Sequence, residues 1–223
     1  LKFNQSLIKV SAAVKDELTA KCLKNMSLFA ARKAVNCNLG EIDDVRDWMI
    51  NHTLPVIDLG QKMFNYAERN MLENHDAKKH LLDFCHNIGF NIEDMAVEKD
   101  YMSLTPEMIQ FIKSSGQLSD ENASKLSKDP KMPNGFKTDF IVSVINKRGK
   151  EIYTLPKASQ SEGTLRAMGI ETALYVAEQN NKLLPIDEIE TSMHPLLLKF
   201  MIQSFLKVQS RSQLLLTTHY DPL

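Results

Sequence analysis

The chain has 223 residues, of which 43% are hydrophobic and 25% are charged, a composition typical of a globular protein. Its 27 Lys and Arg residues are balanced by 28 Asp and Glu residues, so the net charge of −1 argues against overall attraction to nucleic acid or an anionic membrane. Only 8 glycines occur, which leaves few places for a glycine-rich phosphate-binding loop.

The cysteines and the apolar runs bear on location. Cys22, Cys37 and Cys85 are an odd number and show no CxxC spacing, which favours reduced thiols in a cytoplasmic protein over a disulfide scaffold. The apolar runs, such as 196–198 and 214–216, are far shorter than the ~18 residues of a membrane-spanning helix. We therefore expect a cytoplasmic protein without a membrane partner.

Residues 1–138 are predicted to form a helical lobe. Apolar residues at helical spacing predict helices over about 7–39, 42–52, 59–70 and 76–89. Residues 97–102 have weak strand character. Residues 113–135 are rich in Ser, Asp, Lys, Gly and Pro, which predicts a loop or a polar insertion.

Residues 139–223 are predicted to form an α/β core. Two β-branched runs, 139–146 and 151–155, flank a Lys-Arg-Gly-Lys turn and predict a hairpin; the remainder alternates as helix 161–180, strand 182–187, helix 194–208 and strand 213–218. The second of these helices is apolar on most faces, so we expect it to be packed on both sides. Alternation with apolar strands is typical of a mainly parallel sheet flanked by helices, in which ligands bind at the carboxyl ends of strands.

Chemistry-bearing residues follow two of these strands. Asp187 and Glu188 end one strand, where a first acid can support Mg²⁺ and a second can deprotonate a water molecule. The alternative is that both acids are solvated and cap the next helix. His219 follows the last strand, where a structural role is the alternative to a catalytic one.

A third segment begins a helix. Ser161, Gly163 and Thr164 bring hydroxyls, a glycine and free N–H groups to the start of helix 161–180, an arrangement that can bind an anion. The alternative is an ordinary N-cap. Three histidines, His75, His80 and His86, are spaced by five and six residues and so do not share one helix face, which argues against a metal site there.

Four segments of the chain together resemble the sequences of a known family of ABC-type ATPases: SEGTLRAMGIETAL, LLPIDEIETSMHPLLLKFMI, QLLLTTHYDPL and FCHNIGFNIEDMAVEK. The resemblance is closest to bacterial ABC-type ATPases often assigned to the AAA family, near the RloA, Septu and retron-associated anti-phage defence ATPases. It implies a P-loop NTPase fold, an ABC-type ATPase head whose C-terminal part is residues 139–223.

The resemblance also implies roles for individual residues. Asp187 matches the Walker B aspartate that supports Mg²⁺, and Glu188 matches the catalytic base. His219 matches the switch histidine that contacts the γ-phosphate of ATP. Ser161, Gly163 and Thr164 match the signature loop, which faces ATP bound by the opposite protomer, and residues 191–195 match the D-loop. The implied cofactors are ATP and Mg²⁺, and the implied assembly is a homodimer, or a higher oligomer, built through the signature loop and the D-loop.

Two features depart from the family pattern. No segment fits the P-loop pattern GxxxxGK[ST], because residues 135–138 (Gly-Phe-Lys-Thr) lack the first glycine and the Gly-Lys pair. We therefore expect the P-loop to lie upstream of Leu1, and we expect this polypeptide alone neither to bind ATP tightly nor to hydrolyse it. Pro185 stands in the middle of the Walker B strand, where proline is rare.

The sequence thus supports one main hypothesis with two alternatives. The main one is an ATPase subunit that dimerises around ATP and Mg²⁺ and regulates an effector, a nuclease, in anti-phage defence, with nucleic acid as a possible further partner. The alternatives are a non-catalytic interaction module on a degenerate ABC fold and a DNA-repair or chromosome-structure ATPase head. Long heptad arms would favour the last, and residues 59–135 are too short and irregular to form them.

Overall fold

A computed structural model describes residues 40–58, 61–115, 128–146 and 148–220, together with isolated positions before residue 40 and between residues 122 and 126. The chain divides into two compact units, Leu1–Leu54 and Pro55–Leu223. None of the described helices is long and apolar enough to cross a membrane.

The first unit contains helix α1, Glu41–His52, which confirms the helix predicted over residues 42–52. Gly40 caps its N-terminus with a φ of 52°, a backbone conformation that glycine adopts without strain. Apart from those isolated positions, the helix predicted over residues 7–39 lies outside the described residues.

The second unit alternates helices and strands. Its elements are α2 (Met63–Glu73), α3 (His75–Asn87), β1 (Ile92–Ser103), α4 (Pro106–Ser114), β2 (Lys131–Asn146), β3 (Gly149–Pro156), a 3₁₀ turn (Lys157–Ser159), α5 (Glu162–Asn180), β4 (Leu183–Ile186), α6 (Pro195–Lys207) and β5 (Gln213–Leu216). The mixed α/β class is therefore confirmed.

The larger sheet is antiparallel, with strand order β1–β2–β3. The predicted hairpin is confirmed, since Asn146 of β2 pairs with Gly149 of β3. The expectation of a mainly parallel sheet over residues 139–223 is wrong for β2 and β3. These two strands pair antiparallel with each other, and β2 also pairs antiparallel with β1. The loop predicted over residues 113–135 is wrong at its end: Lys131–Gly135 belong to β2, with Pro133 beside a register shift where proline is tolerated.

The smaller sheet is the parallel pair of β4 and β5. Ile57 extends it on the far side of β4 as a single parallel bridge to Ile186. Pro185 stays in unbroken register with Leu215. The Ile57 amide donates to the carbonyl of Pro185 at 3.0 Å and the Asp187 amide donates to the carbonyl of Ile57 at 2.8 Å, and neither bond needs an N–H on Pro185. The strand that leads to Asp187 is therefore regular despite its proline.

Helix α5 forms the centre of the core. Ten of its side chains or glycines are buried, on all faces of its middle turns. At Gly169 a Cβ atom would stand 2.4 Å from the carbonyl carbon of Met63, so the start of α2 rests directly on the α5 backbone. Helix α6, by contrast, buries only one stripe and leaves Leu196 71% and Leu206 73% exposed, so the expectation that it is packed on both sides is wrong.

The sequence changes character near residue 139, where we placed the boundary between a lobe (1–138) and a core (139–223). Strand β2 runs through this point without interruption. That two-part division stays a prediction.

Candidate functional site

The carboxyl ends of β4 and β5 lie side by side, and one hydroxyl joins them. Thr217, directly after β5, donates its Oγ1 hydrogen to Oδ1 of Asp187 at 2.5 Å. The same Oγ1 accepts the backbone N–H of Glu188 at 2.9 Å. A hydroxyl has one hydrogen to donate and lone pairs to accept, so Thr217 holds both acids at once.

Glu188 has a backbone conformation that is rare for its residue type. Its φ is 47°, in the left-handed region that costs a non-glycine residue of order 1 kcal/mol. The turn is held by the hydrogen bond from Thr217 and by the Thr191 amide, which donates to the Glu188 carbonyl at 3.1 Å. The Glu188 carboxylate lies beside His219, with Oε1 at 3.6 Å from Nε2.

Glu190 is a member of this site that the sequence did not identify as functional. Its Oε1 accepts the backbone N–H of His219 at 2.7 Å. Burial opposes its ionisation, but hydrogen bonds from the backbone of His219 and of Glu190 itself and from the Thr218 side chain hold the pKa of Glu190 below its ordinary value. Glu190 is therefore ionised at neutral pH and fixes the loop that carries His219.

The start of α5 forms the second group of predicted residues. The Oγ of Ser161 accepts the backbone N–H of Thr164 at 3.0 Å and lies 2.8 Å from its Oγ1, so the predicted N-cap is confirmed. A Cβ atom on Gly163 would stand 2.2 Å from the carbonyl oxygen of Ser192. Only glycine lets the two segments approach so closely.

Beside this contact lies a groove of about 510 Å³. Its polar wall comes from Ser161, Gly163 and Thr164 on one side and Ser192 and His194 on the other, and its apolar floor comes from the end of α3, the residues that follow it and the first turns of α6. Asp187, Glu188 and His219 do not line this groove. The predicted site residues therefore form two separate groups within one chain.

The first group suits a magnesium–nucleotide complex. Carboxylate oxygens are the ligands that Mg²⁺ prefers, and Asp187 and Glu188 present two carboxylates at the end of a parallel strand. Among the residues that the structure describes, no three His, Cys, Asp or Glu side chains converge to hold a metal by themselves. Asp187 would thus hold Mg²⁺ together with water and phosphate oxygens, as is usual for this ion.

His80, one of the three histidines considered above for a metal site, has a structural partner. Nε2 of His80 lies 2.9 Å from Oε1 of Glu171 on α5, and its ring stacks on Tyr175 with centroids 4.5 Å apart. His80 therefore links α3 to α5.

Comparison with known proteins gives one family. The model of the family described as "AAA domain, putative AbiEii toxin, Type IV TA system" matches residues 45–222, most of the chain. No curated protein and no solved structure matches the sequence. The chain therefore belongs to this family of AAA-domain proteins, whose domain is of the nucleotide-binding ATPase type.

Proposed function

We propose that this chain is a subunit of an ATPase that dimerises around ATP and Mg²⁺ and regulates an effector, a nuclease, in anti-phage defence. It would stand close to the RloA, Septu and retron-associated ATPases, with nucleic acid as a further partner. The observation that carries the proposal is the meeting of Asp187, Glu188 and His219 at the carboxyl ends of two parallel strands. The toxin named in the family description suits a protein that controls a harmful activity.

The roles of the residues follow from their positions. Mg²⁺–ATP, when bound, supplies the phosphoryl group to be transferred to water. Asp187 would hold the cation through its carboxylate, and Glu188 would accept the proton of the attacking water. His219, whose imidazole is 83% exposed beside Glu188, would contact the γ-phosphate from the neighbouring strand end.

The signature loop would act in trans. Ser161, Gly163 and Thr164 line a groove with the D-loop, apart from the acids of their own chain. A second copy could bring that loop to the phosphates held by the first, which completes two sites in a homodimer. Loss of the γ-phosphate after hydrolysis would remove the anion that holds the dimer closed.

The first test is Glu188→Gln in the natural full-length protein. We expect ATP turnover to fall by at least about 100-fold, because a general base contributes that much, while ATP binding persists and the dimer accumulates in light scattering. Glu107→Gln, at the exposed start of α4, is the matched control and should turn over ATP normally. Unchanged turnover in Glu188→Gln would refute the assigned role.

The second test separates action in trans from action within one chain. Glu188→Gln and Ser161→Arg should each be inactive alone. Mixed together, they should regain part of the activity, because one site of the mixed dimer then combines an intact Glu188 with an intact Ser161 from the other subunit. A mixture as inactive as its parts would exclude a composite site.

A second candidate function is a non-catalytic interaction module, which is favoured by the lack of any GxxxxGK[ST] segment in the 223 residues. Equilibrium binding of ATP to the natural full-length protein discriminates the two. Tight, Mg²⁺-dependent binding supports the ATPase, and no binding supports the module.

A further inference from the structure

Two polar side chains tie the loop after β4 to the loop after β5. Thr217 bonds Asp187 and Glu188 through its hydroxyl, and Glu190 bonds His219 through its carboxylate. One tie runs from β5 to the β4 loop and the other runs back from the β4 loop to the β5 loop. The two ties are therefore reciprocal.

Backbone hydrogen bonds complete the same unit. The Thr217 amide donates to the carbonyl of Ile186 at 3.0 Å, and the Ile189 amide donates to the carbonyl of Thr217 at 3.2 Å. Ile189 is fully buried, so this turn is anchored in the core. Both loops move as one body if these bonds persist.

The contacts of the Glu190 carboxylate point to a role in position rather than in packing. Its second oxygen, Oε2, is buried and has no hydrogen-bond partner in the structure. Leaving a buried acceptor unpaired costs stability, and a neutral apolar residue at this position would avoid that cost. What such a residue would lose is the bond to the His219 amide.

We propose that Thr217 and Glu190 are positioning residues that hold Asp187, Glu188 and His219 in one fixed arrangement. This inference rests on the proposed ATPase function and adds two residues to its site. Thr217 sets the direction of the Asp187 carboxylate and the left-handed turn at Glu188. Glu190 sets the position of the His219 backbone, and hence the distance between His219 and Glu188.

The test for Thr217 compares Thr217→Val with Thr217→Ser. Valine has nearly the same shape but can neither donate to Asp187 nor accept from Glu188, whereas serine can do both. In the natural full-length protein we expect Thr217→Val to lower kcat by about 10- to 100-fold with little change in the KM for ATP, because the reacting groups are misplaced. Thr217→Ser should stay near wild type. Equal kcat in the valine and serine variants would overturn the role.

The test for Glu190 asks whether it acts through His219. We expect Glu190→Ala to lower kcat, and we expect the double variant Glu190→Ala/His219→Ala to be no slower than His219→Ala alone. Glu190→Gln, which keeps an acceptor oxygen, should be intermediate between wild type and Glu190→Ala. Losses that multiply in the double variant would show that Glu190 does not work through His219.

A readout that does not depend on activity distinguishes failure of this inference from failure of the ATPase proposal. Hydrogen–deuterium exchange, followed by mass spectrometry, should be faster in Thr217→Val and Glu190→Ala at residues 187–190 and 218–220, and unchanged in α3. If Glu188→Gln and His219→Ala leave ATP turnover intact, the ATPase proposal fails, and exchange alone decides whether the two loops are tied. If those variants are inactive but exchange is unaltered in Thr217→Val, only the positioning role fails.

Discussion

The backbone at Gly163 lies against the backbone at Ser192, so closely that a Cβ atom would come within 2.2 Å of the Ser192 carbonyl oxygen. Ser192 itself has a φ of 61°, a left-handed conformation. The start of α5 and the loop before α6 are thus in direct main-chain contact, and a displacement of one must displace the other. In the proposed dimer, the signature loop and the D-loop would move together.

The first prediction follows from this contact. Gly163→Ala should destabilise the protein by about 1–3 kcal/mol, because a backbone carbonyl cannot move aside as a flexible side chain can. Urea unfolding measures the loss. Glu162→Ala, one residue earlier on the first turn of α5, adds no atom beside Ser192 and should cost less than 1 kcal/mol. Equal effects in the two variants would contradict the close contact.

The second prediction concerns a buried ion pair between α2 and the turn after β3. Glu68 is fully buried; Nζ of Lys157 lies 2.7 Å and 3.0 Å from its two oxygens, and Thr138 donates to it at 2.6 Å. Lys157→Met should destabilise the protein by about 3–5 kcal/mol, because the carboxylate stays buried without its cation. The double variant with Glu68→Gln should recover part of that loss in a denaturant titration.

An exposed ion pair between β1 and β2 is the matched control. Lys137 and Glu98 are 3.3 Å apart, with side chains 60% and 67% exposed. Lys137→Met should therefore cost no more than about 1 kcal/mol. A loss for Lys157→Met as small as that for Lys137→Met would show that burial of Glu68 does not govern the energetics.

The third prediction is a pH dependence of stability. Burial, and next the negative charge of Glu171, raise the pKa of Glu178 from 4.5 to about 7, while His80 opposes the shift. Between these two values the folded state keeps a proton that the unfolded state has released. Stability therefore falls as the pH rises from 4.5 to about 7, by at most about 1.4 kcal/mol per pH unit.

Glu178→Gln removes this dependence, since glutamine is neutral at every pH. Thermal unfolding of both proteins between pH 4.5 and 8 gives the comparison. We expect the variant to gain stability over wild type as the pH rises and the difference to level off above pH 7. A constant difference between the two proteins would mean that Glu178 titrates normally.

The fourth prediction concerns Cys85, a fully buried residue of α3. Burial, with the nearby charge of Glu171, raises the pKa of the Cys85 thiol to about 12, although a backbone hydrogen bond lowers it slightly. Because the thiolate is the reactive form, alkylation at pH 8 should be at least about 100-fold slower in the folded protein than in urea. The experiment uses Cys22→Ser/Cys37→Ser protein and mass spectrometry; fast labelling of the folded protein would contradict the burial.

Elements specified by neighbouring residues could be predicted from the sequence. The start of α5 follows from Ser161 and the apolar run behind it, and the hairpin follows from β-branched runs around Gly149. Helix α4 was not predicted, although the sequence carries a signal for its start. Thr105 is followed by proline at the first helical position, and the Thr105 side chain accepts the Met108 amide. The start of β2 had no local signal: residues 131–135 include Pro, Asn and Gly, which are rare in strands, and they form one because β1 supplies their hydrogen bonds.

The candidate site also contains residues that the sequence identified and residues that it did not. Asp187, Glu188 and His219 are recognisable in the sequence because they lie within three residues of the ends of apolar strands. Parallel strands bring their carboxyl ends to one edge of a sheet. Thr217 and Glu190 were not assigned roles, because a threonine and a glutamate in a turn have many possible partners. Their partners lie 29 and 30 residues away in the chain.

The sequence by itself therefore determined the mixed α/β class, the local elements and the residue types that carry the chemistry, since these depend on periodicity, caps and strand ends. Only the tertiary structure decided that the larger sheet is antiparallel, that Gly163 rests on Ser192 and that Thr217 joins the two acids. Such contacts depend on strand register and helix packing between distant segments, and a change of one residue in register would move each side chain to another partner.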